Sequence, residues 1–341
     1  MVGTLSLQEA LELFRSGSEL PAGEAGAFFD SLLAEQDEDI LASVLTAWSE
    51  KGFTQSELFS LASLMRNRCT RVASPFETFV DIVGTGGSKV KTFNVSTAAA
   101  FVVAGAGIAV AKHGNRAATS STGSSDVLEA LGAEPAIDAE TASKCLSEIG
   151  LCFMFAPNHH RLSPVLARVR RRLGFPTIFN VLGPLCNPSF PPHQLIGVWD
   201  KSLVEPTARV LARLGTRRSL VVSGHDGLDE ITLDGASTVA EVNGTDVKVS
   251  AVEPRDFGLP DAKIDSVRAA DAIESARLVS AVLNGNEPKG AAANLVKITS
   301  AAAISIAASA TLPEAYRMAH ESIVSGAARS KLTQLMALTN G

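Results

Sequence analysis

From residue 5 to about residue 73 the apolar positions return at helical spacing. Leu7, Ala10, Leu11 and Phe14 form one such face, and Leu58, Leu61 and Leu64 form another. Gly17 and the run Pro21-Ala22-Gly23 punctuate the first helices. From 77 to 260 the pattern changes. Short apolar runs at 79–83, 108–112, 151–155, 194–199 and 219–223 alternate with helical periodicity over 95–105, 124–131, 139–149, 163–173 and 202–214. Such alternation predicts a largely parallel sheet with helices on its faces. Residues 237–250 read as a hairpin built around Asn243-Gly244, which makes the sheet mixed. The signal is helical again from Ile273, with a helix opening behind Pro288. The pattern predicts an α/β protein: a small all-helical domain over 1–73 and a larger α/β domain over 77–341. No internal repeat is evident.

The richest chemistry lies between Asp81 and Gly132. A β-like run (Phe79, Val80, Ile82, Val83) breaks into Gly84-Thr85-Gly86-Gly87, and Asn94-Val95-Ser96-Thr97 opens an Ala/Val-rich helix. A second run then delivers Lys112-His113-Gly114-Asn115-Arg116. Glycines without Cβ let backbone N–H groups close on an anion, and a helix N-terminus adds unused donors and a favourable dipole. Alone, GTGG is equally a tight turn before a capped helix, and it matches neither the P-loop nor the dinucleotide fingerprint. Its combination with NVST, KHGNR and GSSD reads as a polyphosphate site. Lys112 follows six small or apolar residues, which places its charge at the C-terminal end of a strand, where α/β sheets bind ligands. An ammonium there meets phosphate as a point charge.

Composition narrows the class. The chain has 341 residues, 46% of them hydrophobic and only 5% aromatic, so an aliphatic core is expected. A net charge of −6 argues against a nucleic-acid surface, so polyanion binding must rest on local donors. Cys69, Cys145, Cys152 and Cys186 lack C-x-x-C spacing and read as reduced thiols. The amphipathic N-terminus carries Glu and no long apolar run, unlike a signal peptide. The apolar stretch from Ile304 to Ala310 is too short to span a bilayer. The expectation is a cytoplasmic enzyme without membrane or nucleic-acid partners.

The motifs from GTGG to GSSD resemble the anthranilate phosphoribosyltransferases, of the family that also includes the pyrimidine nucleoside phosphorylases. Four later segments extend the resemblance in the same order: Phe155 to His160, Val169 to Gly174, Thr177 to Pro188 and Ser223 to Leu233. The match covers most of the chain. It implies transfer of a phosphoribosyl group from phosphoribosyl pyrophosphate to anthranilate, with Mg²⁺ as cofactor. By the same resemblance the diphosphate and ribose fall to Gly84, Thr85, Gly86, Gly87, Ser88, Thr92, Asn94, Ser96, Thr97 and Lys112. Ser120 and Ser124 add hydroxyl donors, and Asp229, Glu230 and Ser96 bind the metal. Gly84, His113, Asn115, His160, Arg170 and Pro184 face the acceptor. It also implies that a helical excursion at 163–185 returns to the small domain, through which the chain forms a homodimer.

Several residues have plainer readings. An Asp-Glu pair such as Asp229-Glu230 is commonly a surface acidic loop; a nearby polyphosphate gives it a use, because magnesium takes oxygen ligands together with substrate phosphates. Arg170 belongs to a basic run with Arg168, Arg171 and Arg172 that reads equally as a solvated helix face. The family position it matches pairs with the acceptor carboxylate, a forked geometry that Arg supplies and Lys does not. His113 serves either the tight loop or the substrate. Relative to the family pattern, Ser88 replaces an Asp, Pro176 an Arg, Ser125 an Ala and Thr299 an Asn. Ser88 borders the phosphate loop; the other three read as packing changes. Alternatives are a pyrimidine nucleoside phosphorylase, a transferase for another aromatic amine, and a non-catalytic nucleic-acid-binding relative. KHGNR and LGPLCNP disfavour the first, and the negative charge disfavours the last.

Overall fold

The structure is a computed structural model that describes residues 5–88, 90–117, 122–264, 267–286 and 288–340. Four N-terminal helices come first: α1 (Leu7–Arg15), α2 (Ala25–Ala34), α3 (Glu38–Lys51) and α4 (Gln55–Arg68). Their apolar stripes meet around Trp48, which stacks on Phe14 with 4.7 Å between ring centroids and meets Phe28 edge-on at 5.3 Å. Glu57 is buried at their junction. It accepts from the Lys51 ammonium at 3.0 Å and from the Leu20 and Thr54 N–H groups at 2.9 Å, so its charge is matched and its lone pairs are used.

The α/β part is a seven-stranded sheet in the order β3-β2-β1-β4-β5-β6-β7. The strands are β1 (Phe79–Gly84), β2 (Ala109–Gly114), β3 (Leu151–Phe155), β4 (His193–Gly197), β5 (Arg218–Gly224), β6 (Ser237–Asn243) and β7 (Asp246–Val252). The first five pair in parallel, and β5-β6-β7 is antiparallel, with Asn243-Gly244 at the hairpin turn. The helices along the sheet are α5 (Val95–Gly105), α6 (Ser124–Ala130), α7 (Ala139–Ile149), α8 (Ala156–His159), α9 (Pro164–Leu173), α10 (Ile178–Leu185) and α11 (Val204–Arg213). They are followed by α12 (Ala272–Leu283), α13 (Ala291–Ala308), α14 (Leu312–Val324) and α15 (Ala327–Thr339). The predicted elements are present, with ends shifted by a few residues.

Side chains alternate across the sheet, so each strand serves two cores. Leu195, Leu220 and Val222 join α5, α7 and α12–α15 on one face. Ile196, Val221, Ala240 and Val242 join α11 on the other, and that second core runs without a break into α1–α4, α9 and α10. The N-terminal helices, α9 and α10 therefore form one helical body seated on one face of the sheet. Most of the apolar tract read at Ile304–Ala310 is the last part of the helix expected behind Pro288, which ends at Ala308. By length and composition the 18-residue α13, mean hydropathy 1.5, is sufficient to cross a membrane, but 72% of it is buried inside the protein. It packs against α5, α14 and the sheet, as a core helix does.

Candidate active site

The chain leaves β1 for β2 and β3 on one side, then crosses to the other side of β1 for β4 and β5. The strand order thus reverses between β1 and β4, and open α/β sheets bind ligands outside the carboxyl ends of the strands at such a reversal. A cleft opens there, lined from above by α8–α10. The loop that follows β5 folds back across it. Asp229 lies over the ends of both central strands, Gly84 of β1 and Gly197 of β4. A Cβ at Gly197 would stand 1.6 Å from the Asp229 carbonyl oxygen, and one at Gly84 would stand 2.7 Å from Asp229 Oδ2. Both positions need glycine because backbone and carboxylate occupy the space a side chain would fill. The Gly86 N–H donates to Asp229 Oδ2 at 2.8 Å. Ser88 Oγ lies 2.8 Å from both the Gly227 and Val90 carbonyls, within reach of either for its single proton. The phosphate loop and the acidic loop are therefore fastened to each other.

Glu230 sits beside the N-terminus of α5, where the Ser96 N–H favours its ionised form. Burial and the neighbouring Asp229 carboxylate outweigh that and push Glu230 up to about 8; burial also raises Asp229. Lys112 is 1% exposed. Its ammonium donates to the Ile82 carbonyl and, at 3.2 Å, to Ser96 Oγ. Burial lowers its pKa while Asp81 and Glu230 oppose that shift. The point charge read from the sequence is thus bonded within the cleft floor, beneath Ser96. Asn94 Oδ1 accepts from Thr122 Oγ1 at 2.6 Å and Ser275 Oγ at 2.9 Å, so this side chain orders the start of α5.

Gly84, Thr85, Gly86, Gly87, Ser88, Thr92, Asn94, Ser96, Lys112, His113, Asn115, Ser124, His160, Arg170, Pro184, Asp229 and Glu230 all line this one cleft. Thr97 does not. It is fully buried on the core side of α5, because adjacent helical residues point about 100° apart and Ser96 takes the cleft side. Arg116, grouped by sequence with the polyphosphate motifs, pairs with Asp126 at 3.0 Å and Glu129 at 2.8 Å and braces α6. Ser120 lies outside the described residues. Two of the three substitutions read as packing changes reach the site: Thr299 Oγ1 lies 3.4 Å from Glu230 Oε2, and a Cβ on Gly87 would stand 2.5 Å from Pro176.

On β2 the side chain of Lys112 turns toward α5, and the next one, His113, turns toward α10. His113 Nδ1 lies 3.1 Å from the Gly183 carbonyl. A carbonyl only accepts, so Nδ1 carries the proton and Nε2 a lone pair. The His160 ring is bonded to the Cys186 carbonyl in the same sense. Both Nε2 atoms are buried without a partner among the described residues, and the rings meet edge-on at 5.1 Å. Burial pushes His160 down to about 4 and His113 well below its ordinary value, so both rings are neutral at physiological pH. Arg170 completes this side. Arg168 and Arg172 on the same helix pair outward with Glu38 and Asp39, each at 2.9 Å. Arg170 turns inward over the Phe179 ring at 5.2 Å, has no carboxylate partner among the described residues, and carries a buried Nε without an acceptor. Burial lowers it to about 10, and it stays a cation.

The α5 side thus offers loop N–H groups, hydroxyls and a carboxylate pair, the donor set for a diphosphate with a hard cation. The α10 side offers a guanidinium, two imidazole lone pairs and the apolar Phe179 and Pro184, a set for a flat molecule bearing a carboxylate and an N–H. Gly197, Asn180, Arg66 and Gln194 escaped the sequence reading, which took Thr299 for a packing change. Asn180 alone left a local signal, an Asn three residues after Thr177. It closes a capping box there while its amide donates to the Thr85 carbonyl at 3.1 Å.

Residues 77–329 match the family described as glycosyl transferase family, a/b domain. The anthranilate phosphoribosyltransferase of Rubrobacter xylanophilus is 43% identical over 97% of this chain and 96% of its own length. Among solved structures, the Thermus thermophilus anthranilate phosphoribosyltransferase superposes with a TM-score of 0.88 at 35% identity, covering 97% of this chain and 99% of that one. The Saccharomyces cerevisiae enzyme in complex with PRPP and Mg gives 0.88 at 27% identity, covering 98% of both chains. The same yeast enzyme in complex with 4-fluoroanthranilate gives 0.86 at 26%, covering 99% of both.

The imidazoles provide a direct check on this geometry. ¹⁵N-resolved NMR of the free protein is expected to show His113 and His160 as Nδ1–H tautomers that stay neutral as the pH falls from 7 to about 5. Because their folded pKa values are depressed, protonation below the ordinary histidine range costs the native state stability as pH falls toward about 4. A midpoint near the ordinary value of about 6.5, or Nε2–H tautomers, would contradict the arrangement.

Proposed function

Because the chain belongs to the anthranilate phosphoribosyltransferase family, we propose that its cleft holds the phosphoribosyl donor on the α5 side and the aromatic acceptor on the α10 side. The reaction transfers the phosphoribosyl group from phosphoribosyl pyrophosphate to anthranilate, giving N-(5-phosphoribosyl)anthranilate and pyrophosphate, a step of tryptophan biosynthesis. The relatives favour it over phosphorolysis of a nucleoside. One observation carries the division of the cleft. Arg170 is a half-buried cation whose Nε is buried without an acceptor and which has no carboxylate partner among the described residues, while Asp229 and Glu230 crowd together across the same cleft.

Each side has its part. The GTGG loop N–H groups and the Ser96 hydroxyl meet the diphosphate, where negative charge grows as the anomeric C–O bond breaks. Both raised by burial, and Glu230 further by the Asp229 charge, the carboxylates Asp229 and Glu230 suit a magnesium ion, with Ser96 as a further oxygen. Bound there, the ion would neutralise the departing pyrophosphate. Arg170 takes the anthranilate carboxylate. His113 and His160 Nε2 accept N–H bonds from the amine, aiming its lone pair at the anomeric carbon. Anthranilate's amine is already neutral at physiological pH, so no side chain need deprotonate it before attack; the N–C bond forms and the proton leaves afterward. Arg170 and Lys112 matter most, the first as the carboxylate partner and the second as a cation beneath Ser96.

We place the enzyme in the cytoplasm, supported by its four free cysteines, and infer a homodimer through the helical body. The apolar faces read at 7–14 and 58–64 are taken up by internal packing, so the dimer rests on the family resemblance.

With phosphoribosyl pyrophosphate, Mg²⁺ and anthranilate, the purified protein is expected to quench anthranilate fluorescence. Converting Asp229→Asn and Glu230→Gln together should cut turnover by about two orders of magnitude while the fold melts as before. Folded protein that fails to turn over, or a double variant with unchanged kinetics, would count against the reading. Light scattering should give twice the chain mass; a monomer across a broad concentration range refutes the dimer.

A further inference from the structure

A helix end leaves its last carbonyls without intrahelical partners, and each needs a donor from elsewhere. At the end of α10 the Gly183 carbonyl keeps a bond from the Cys186 N–H at 3.1 Å, and side chains from four different places reach it and the three carbonyls that follow. His113 of β2 takes Gly183 and His160 takes Cys186. Gln194 of β4 donates to Pro184 through Nε2 at 3.1 Å, and Arg66 of α4 donates to Leu185 through Nε at 2.7 Å. Arg66 also reaches Gln194 Oε1 at 3.3 Å, so the last two are coupled. Arg66 and Gln194 are 7% and 0% exposed, and neither lines the cleft.

The chain after Arg66 tightens the same junction. The Thr70 N–H donates to the His159 carbonyl at 2.9 Å, which fixes the segment carrying His160. Arg66 and Arg71 stack against the Phe190 ring at 5.1 and 3.6 Å. That residue has φ +52°, a conformation a bulky side chain adopts only when its surroundings hold it. It closes the turn by which the chain leaves α10, since the Phe190 N–H donates to the Asn187 carbonyl at 3.1 Å. The end of α4 therefore grips both segments that carry the histidine partners.

We propose that Arg66, acting with Gln194, is a positioning residue for the acceptor side: from the N-terminal helical body it holds the end of α10, and through it Pro184 and the two imidazoles, at the geometry anthranilate requires. This rests on the α10 side being the acceptor side. Among the described residues neither Arg66 nor Gln194 bonds the Asp229–Glu230 loop, and α10 meets the phosphate loop at its far end through Asn180, so their loss falls first on the acceptor side. Misplacing a bound reactant by about 1 Å costs up to a hundredfold in rate, and a shifted wall costs affinity in proportion.

Steady-state kinetics of Gln194→Met, Arg66→Met and Arg66→Lys test this, each variant first checked by thermal melting. Gln194→Met keeps the volume and removes the amide, so it should raise the KM for anthranilate roughly tenfold or more and leave that for phosphoribosyl pyrophosphate within about twofold. Arg66→Met should do the same, and Arg66→Lys, which keeps a donor for the Leu185 carbonyl, should recover part of the loss. If Arg66→Met does not fold, Gln194→Met decides alone. Equal rises for both substrates, or none, overturn the positioning role. Arg170→Ala measured alongside separates the two failures. If it raises the anthranilate KM and Gln194→Met does not, only the positioning role falls. If Arg170→Ala has no effect either, the acceptor assignment falls with it.

Discussion

Charges taken out of water need partners, and in this cleft the chain places its buried acids and its inward-facing guanidinium apart instead of pairing them. Glu230 stays high in pKa although Lys112 and the Ser96 N–H both favour its ionised form. Arg170 keeps a buried Nε without an acceptor although two acidic residues lie close enough to α9 to take Arg168 and Arg172. Neither arrangement is favourable to the empty protein. On the proposed reading each is offset by a ligand of the opposite charge, so that the fold holds binding free energy in reserve for two different molecules at once.

The sheet makes that separation possible. Successive residues of a strand point to opposite faces, so Lys112 and His113 at the end of β2 serve different sides of one cleft without any loop between them. The reversal of strand order next to β1 opens the space, and two glycines at the ends of β1 and β4 let the acidic loop lie across it. On the opposite side the geometry is set by α10. Its carbonyls fix the tautomer of each histidine, because a carbonyl can only receive a proton bond; the catalytic face then consists of lone pairs. The helical body is thereby a working part of the site.

Much of this was legible in the sequence because it is written locally. Short apolar runs and period-3.6 patterns mark the strands and helices, and the Gly84 to Gly87 run, Lys112-His113 and Asp229-Glu230 are contiguous. What stayed hidden is pairing at a distance. Nothing near Arg66 points to Leu185, 119 positions away, and nothing near Thr299 points to Glu230, 69 positions away. The Thr97 side chain is turned into the core because a helix presents only one of the motif's two adjacent hydroxyls to the cleft. Lys112 lines the cleft, but its tie to the Ile82 carbonyl appears only when β1 and β2 lie side by side. Taken as residues alone, Arg170 and its basic neighbours read alike; the family resemblance singled it out, and α9 turns it inward while Arg168 and Arg172 pair outward.

The central claim is that Arg170 is an unpaired charge awaiting the acceptor's carboxylate. A binding cycle tests it most directly: calorimetry of anthranilate and of aniline, which lacks the carboxylate, on the unaltered protein and on Arg170→Ala, with phosphoribosyl pyrophosphate binding measured on both. Loss of a desolvated charge partner costs about 2–5 kcal/mol. Anthranilate should therefore weaken on Arg170→Ala by at least an order of magnitude while aniline and phosphoribosyl pyrophosphate bind nearly as before. Equal weakening of anthranilate and aniline, or of acceptor and donor together, would contradict it.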